Sequence, residues 1–395
     1  MLSEAEKLLP DLVALRRAIH REPELGLQTP KTVAKVRQAL AGLPLEWREG
    51  PSTSGLVAVL RGARPGRSVL LRGDMDALPM QEETGLEYAS QVPNAMHACG
   101  HDAHTAMLAG AARLLCGRQA SLAGSVMFMF QPGEESWDGA RLMIEDGLID
   151  PLPDAAFALH VIPNAESGVV RGRPGPTFAS MDPIRIQVTG RGGHGSAPHD
   201  ALDPVPVACE IVMAIQGFVT RQVSVFDPCV VTIGRIDAGT THNVIPETAR
   251  LSGTMRTLSP ENRERVKAGI RRLAEGIAAA HGASAEVSFD RGYPVTVSDA
   301  RAVELARATA RSLLGPDGWQ DMESPLMAAE DFSYVLEKVP GALLLLGVAI
   351  DASNPGGCCA LHSNRMALDE RAMPRGAALM AAVAERFLAE GFRSG

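Results

Sequence analysis

Apolar residues recur at three- and four-residue spacing from Ser3 to Ala18, which predicts an amphipathic helix. Thr29-Pro30 opens a second helix, with threonine at the N-cap and proline in the first turn. Short apolar runs at Leu56 to Arg61 and Ser68 to Arg72 flank a Gly/Pro turn and predict two strands. The second strand runs straight into Gly73-Asp74-Met75-Asp76, so two carboxylates sit at its C-terminal end. Continuous apolar runs at Gly124 to Gln131 (GSVMFMFQ) and Ala155 to Ile162 (AAFALHVI) predict strands buried on both faces. The first leads to Glu134-Glu135 and a helix over Gly139 to Asp146, and the second carries His160 near its end. In open α/β sheets ligands bind at the C-terminal edge of the strands, and three strands deliver polar groups there.

Near Phe178 the pattern changes. It now predicts a strand (Ile184 to Gly190), a helix (Asp203 to Arg221), two strands (Cys229 to Asp237, Thr248 to Leu258), a helix (Pro260 to His281) and a strand (Ala283 to Asp290). That β-α-β-β-α-β order is the ferredoxin-like α+β unit. The expected architecture is therefore an α/β domain with a mostly parallel or mixed central sheet flanked by helices. It is discontinuous (residues 1–178 and 292–395), with a second domain inserted at residues 179–291. After the insertion come predicted helices at Ser298 to Leu314 and Ala329 to Lys338, a strand at Gly341 to Ile350, a loop with His362, and a helix at Arg371 to Glu390.

A length of 395 residues suits two domains. The formal charge of −8 is spread without a basic stripe, which argues against a nucleic-acid partner and for a small-molecule one. The longest apolar run, Ala342 to Ile350, is far short of the ~18 residues of a membrane span. Charged residues interrupt the leucines of Met1 to Glu24, and the expectation is a cytoplasmic protein. Six cysteines in so long a chain then read as reduced thiols. Adjacent Cys358 and Cys359 read as two buried thiols in a Gly-rich loop, since neighbours rarely aim at one ion.

The segment Met96 to His104 concentrates three imidazoles, a thiol and a carboxylate, just before the Ala-rich run Thr105 to Leu115. Such borderline and soft donors on a rigid element suit a transition metal. Cys99 and His101 sit two apart and can face one side of an extended loop. By the same geometry Glu134 and Glu135 point in different directions, one able to bind a metal and the other to act on a water; spacing does not decide which. With His160 and His362 there are six groups from four segments. They suit two divalent ions, one held by Cys99, His101 and His160 and the other by Cys99, Glu135 and His362, at the roughly 3.5–4 Å separation of two-metal hydrolases. Thiolate and imidazole favour zinc, while the carboxylates also admit manganese, cobalt or nickel. His97 and His104 fall outside the ligand spacing and read as supporting or helix-start residues. His20, His199, His242 and His281 read as structural or surface residues.

The motifs MHACGHDAHTAMLAG, QPGEES, ALHV, GGHGSAPH, THNVIPE, GTMRTL, AEDFSY and LHSN, in this order, resemble the hippurate hydrolase and indole-acetyl-amino-acid amidohydrolase family. That family lies within the wider aminoacylase and metallo-carboxypeptidase group. The resemblance implies Cys99, His101, Glu135, His160 and His362 as metal ligands. It also implies Glu134 as the base that deprotonates the attacking water and reprotonates the leaving amine. It further implies an inserted domain that makes a homodimer or higher homo-oligomer. His194 would donate to the oxyanion of the scissile carbonyl, in its own or the partner's site. Where the wider group has His-x-Asp and a bridging aspartate, this chain has Asp74-Met75-Asp76 and Cys99. That is the amidohydrolase-branch pattern, so the implied substrates are N-acyl amino acids, with Asp76 orienting a ligand imidazole. Asn243 and Arg256 are candidates for gripping the substrate carboxylate, because an arginine fork matches its geometry. Glu330 is a further candidate near the site. Two other readings share these residues: a deacetylase of N-acetyl-diaminopimelate, and a non-catalytic metal- or ligand-binding protein on the same scaffold.

Overall fold

The computed structural model describes residues 1–351 and 360–392, and Cys358 and Cys359 lie outside the described residues. The chain forms two compact units. The first takes residues 1–177, 297–324 and those from 331 onward, and the second takes residues 178–296 and 325–330.

In the first unit, β1 (Leu45–Glu49), β2 (Leu56–Arg61), β3 (Arg64–Asp74), β4 (Ala123–Gln131) and β5 (Ala155–Ile162) join three later strands in an eight-stranded sheet. The order is β1-β2-β4-β3-β5, then Gly341–Gly347, Val170–Gly172 and Trp319–Asp321. β3 runs parallel to both β4 and β5, and β5 is parallel to Gly341–Gly347, while β1 and β2 are antiparallel. The sheet is therefore mixed. Its parallel centre is apolar along β4 and β5 because successive residues of both strands, pointing to opposite faces, are buried.

Four helices precede β4: α1 (Leu2–Lys7), α2 (Leu9–Arg21), α3 (Pro30–Ala39) and α4 (His101–Cys116). The single helix expected over Ser3 to Ala18 is divided at Leu8. Pro10 lies in the first turn of α2 and lacks the N–H that a continuous helix would require there. Thr29 caps α3 by position only, since its hydroxyl bonds Ser54 Oγ at 3.1 Å. The helix expected over Ala329 to Lys338 shrinks to Ser333–Leu336. The carboxylate of Asp331 instead accepts from Gln131 Nε2 (2.7 Å) and from the Ala140 amide (2.8 Å), which draws that stretch out of helical conformation.

Nearly every residue of α4 is buried, against β3, α2 and the C-terminal helix Met373–Glu390. A Cβ at Gly73 would come within 2.9 Å of the His104 carbonyl, so glycine lets α4 lie directly on β3. Asp102, in the first turn of α4, accepts from Arg16 Nε at 2.8 Å and from His20 Nδ1 at 2.7 Å, all buried. Burial pushes its carboxyl up, but the Arg16 and His20 charges outweigh that and hold it well below the ordinary carboxylate range. Asp102→Ala should lower the unfolding free energy by about 3–5 kcal/mol, the usual effect of stranding a buried charge, read as a fall in the urea midpoint.

The second unit is a four-stranded antiparallel sheet in the order Cys229–Ala238, Thr248–Thr257, Asp182–Thr189, Ser284–Phe289. Helices Pro204–Gln222 and Pro260–Ala280 cover one face, capped by the side chains of Asp203 and Ser259. Chain order and strand order together are those of a ferredoxin-like unit. Among the described residues no helix is long and apolar enough to cross a membrane.

Candidate metal centre

The polar groups at the ends of β3, β4 and β5 converge on the turn that precedes α4. Gly100 adopts a left-handed conformation (φ +85°), which starts α4 at His101 while leaving Cys99 in the loop. His362 arrives from the far end of the chain, at φ +64°, and its amide donates to the Ala98 carbonyl at 2.9 Å. Two trios result. Ligand atoms of Cys99, His101 and His160 lie within 4.8 Å of one another, and so do those of Cys99, Glu135 and His362. Cys99 Sγ is 3.5 Å from His160 Nε2, and His362 Nε2 is 3.2 Å from Glu135. Cys99 belongs to both trios, and Glu134 forms a further trio with His101 and Glu135.

Hydrogen bonds fix which ring nitrogen each histidine offers. His101 Nδ1 donates to the Asp76 carbonyl at 2.8 Å and His160 Nδ1 to the Val161 carbonyl at 2.7 Å, so both present Nε2 to the cluster. His101 Nε2 is buried and has no hydrogen-bond partner, which is costly unless something electron-poor meets its lone pair. Charges around it follow the same logic. Burial pushes the Cys99 thiol up. Burial also pulls His101 down, but Asp74 and the Cys99 sulfur outweigh it and raise the group well above the usual imidazole value. His362 is pushed up to about 10 by its bonds to Cys99 and Glu135. Burial and the neighbouring His104 keep His160 low and hence neutral. A cluster that draws protons in this way is one where cations would displace them, and the donor set fits zinc-like ions.

Asp76 has a larger part than orienting one imidazole. Its main-chain carbonyl holds His101, while its carboxylate accepts the amides of Glu134 and Glu135, each at 3.0 Å. The loop carrying both glutamates is thereby tied to the end of β3. Asp74, His101 and His104 make another trio of close donors, but both His104 nitrogens are engaged, with Asp74 (2.6 Å) and with the Val161 amide (2.8 Å). His97 is buried and burial lowers it to about 3, so it stays neutral. His20 is buried against Asp102, whereas His199 and His281 lie at the surface beside Asp200 and Glu210.

The remaining candidates belong to the second unit. His194 is exposed on a two-residue strand paired with Val244–Ile245. Its Nδ1 accepts the Ser196 amide at 3.1 Å, which leaves the ring proton on Nε2. The Asn243 carbonyl accepts the Gly195 amide at 2.9 Å, so His194 and Asn243 flank one short strand pair. Arg256 is half-buried and donates to the Met327 carbonyl at 2.9 Å; Glu330 is buried in the same unit. Sequence reasoning missed Arg72, Gln131 and Asp331, which form a buried network behind Asp74: Arg72 Nε to Gln131 at 2.8 Å, Arg72 Nη2 to Asp331 at 3.1 Å. The available signal was a polar residue near the end of each of two otherwise apolar strands.

The thermostable carboxypeptidase 1 of Saccharolobus solfataricus is 37% identical over 381 residues, covering 95% of each chain. The N-acetylcysteine deacetylase of Bacillus subtilis is 38% identical over 366 residues, 92% of this chain and 93% of its own. Among solved structures, the Bacillus subtilis YXEP protein, described as a dinuclear metal binding peptidase from the M20 family, superposes with a TM-score of 0.84. It shares 34% identity and covers 97% of this chain and 99% of its own. The profile of peptidase family M20/M25/M40 matches residues 70–386, and with relatives this similar along its length the chain belongs to that family.

Proposed function

We propose that the protein is a dinuclear metal-dependent amidohydrolase that cleaves N-acyl amino acids to a carboxylic acid and a free amino acid. The observation that carries this reading is the pair of trios sharing Cys99, with Glu134 beside them. Cys99, His101 and His160 would hold one divalent ion and Cys99, Glu135 and His362 the other, with zinc, manganese, cobalt or nickel all compatible with these donors. When bound, the ions supply positive charge that acidifies water and polarises a carbonyl.

The chain's own groups do the rest. Glu134 is nearly buried, and its amide is tied to Asp76, so its carboxylate is held next to the trios. It takes a proton from the attacking water as the C–O bond forms, then gives a proton to the amine nitrogen as the C–N bond breaks. His194, with its proton on Nε2, serves as donor to the oxyanion. Asn243 and Arg256 grip the free carboxylate of the amino-acid half. The names of the two curated relatives support this substrate class: one acts on an N-acyl amino acid, and the other cleaves next to a free carboxylate. Copies of the chain would associate through the second unit. There the edge strand Cys229–Ala238 exposes Val230 and Ile236, and Met213 and Phe226 are also exposed. A thiolate ligand suits a reducing compartment, in keeping with a cytoplasmic protein.

The test is amine release by the metal-loaded protein on hippurate, N-acetyl amino acids, indole-acetyl amino acids, N-acetyl-diaminopimelate and simple dipeptides. Turnover of the N-acyl amino acids, abolished by chelation and restored by metal, is the expected result. A clear preference for N-acetyl-diaminopimelate would move the substrate to that compound. Metal uptake without turnover of any member would leave a binding protein on this scaffold.

A further inference from the structure

β3 and β4 stay paired to Asp74 and Gln131, whereas the pairing of β3 with β5 ends at Arg72 and Ala158. Beyond that point the two strands part, two residues before His160. His104, projecting from the first turn of α4, spans the gap. Its Nδ1–H donates to Asp74 Oδ1 at 2.6 Å, and its Nε2 accepts the amide of Val161 at 2.8 Å. A side chain thus occupies the place of the missing strand partner, joining the end of β3 to the residue after His160. The His104 ring also lies 4.5 Å from the His160 ring, centroid to centroid, at 62°. Asp74 is in turn clamped by Arg72 Nη1 at 2.5 Å, and His104 is itself buried, so the bridge has little freedom.

From this geometry we propose that His104 is a positioning residue for one ion site alone. It fixes the splay of β3 and β5, and with it the direction of His160 Nε2. The trio of Cys99, Glu135 and His362 has no member on β5. His104 therefore governs the site that contains His160 and leaves the other site untouched. The inference rests on the two-ion reading above, and its test separates the two.

Metal-free wild type, His104→Ala, His104→Gln and His160→Ala are titrated with Mn²⁺ and with Zn²⁺ by calorimetry, and bound metal is counted by elemental analysis. Circular dichroism and the thermal midpoint of each metal-free protein are recorded alongside. Wild type should take two ions, and His160→Ala identifies which binding step belongs to its site. His104→Ala should weaken that same step by about 10–100-fold, the usual effect of losing a partner behind a metal ligand, and leave the other step unchanged. His104→Gln retains an acceptor for the Val161 amide and should weaken that step less. It also provides the reading if the alanine variant does not fold. Two undisturbed binding steps in folded His104→Ala, or in His104→Gln where the alanine variant does not fold, or equal weakening of both steps, would overturn the positioning role. A wild-type chain that takes fewer than two ions would instead overturn the two-ion reading, and this inference with it.

Discussion

Glu134→Gln should lower kcat by about 10³-fold or more, with KM changed little and both ions still bound. A positioned general acid–base group contributes about 10²–10⁴ in rate, and in the proposed mechanism one carboxylate serves in both proton transfers. Glutamine matches glutamate in shape, and the amide of residue 134 would keep its bond to Asp76, because that bond is made by the main chain. The carboxamide, however, cannot take a proton from water. Glu134 is absent from both trios that share Cys99, so the ion count by elemental analysis should match wild type. Single-turnover rates on the best N-acyl substrate give the chemical step directly. A variant that loses an ion together with its activity would make Glu134 a ligand and move the proton-transfer role elsewhere.

The parts of the fold that could be read from sequence are those where burial imposes a pattern. β4 and β5 are buried on both faces, so each is a continuous apolar run whose ends can be read to within a residue. β1, Leu45–Glu49, alternates charged and apolar residues at the sheet edge and gave no comparable signal. The stretch Ala329 to Lys338 has helical spacing, but the demand of buried Arg72 and Gln131 for the Asp331 carboxylate prevails over it. The site divides in the same way. Cys99 with His101 and Glu134 with Glu135 are near neighbours at strand or helix ends, where α/β topology collects function. His362 is joined to them by one main-chain hydrogen bond to Ala98, which no spacing encodes. His104 is three residues from His101 on one helix face, and its place outside the ligand spacing marks it as a support without saying what it supports. Its two occupied nitrogens, on Asp74 and on the Val161 amide, are visible only in the fold.

Cys99→Ala should strip both ions, taking the metal count from two per chain towards zero and amide hydrolysis with it. The reason is topological: of the donors in the two trios, Cys99 alone occurs in both. Removing His160 or His362 leaves one complete trio, so each of those variants should retain an ion where Cys99→Ala retains none. Cys99→Asp should recover part of the metal binding, because a carboxylate can also be shared between two cations. With Cys99 as the shared ligand the wild type should be sensitive to oxidants, since only the reduced thiolate ligates and peroxide carries it to sulfenic acid. Cys99 is buried, and the other described cysteines, Cys116, Cys209 and Cys229, lie outside both trios. Mild peroxide should therefore release metal and inactivate the enzyme in parallel, reductant followed by metal should restore both, and Cys116→Ser, Cys209→Ser and Cys229→Ser should leave that response intact. If Cys99→Ala still held one tightly bound ion, the shared thiolate would be refuted and the two trios would have to be filled independently.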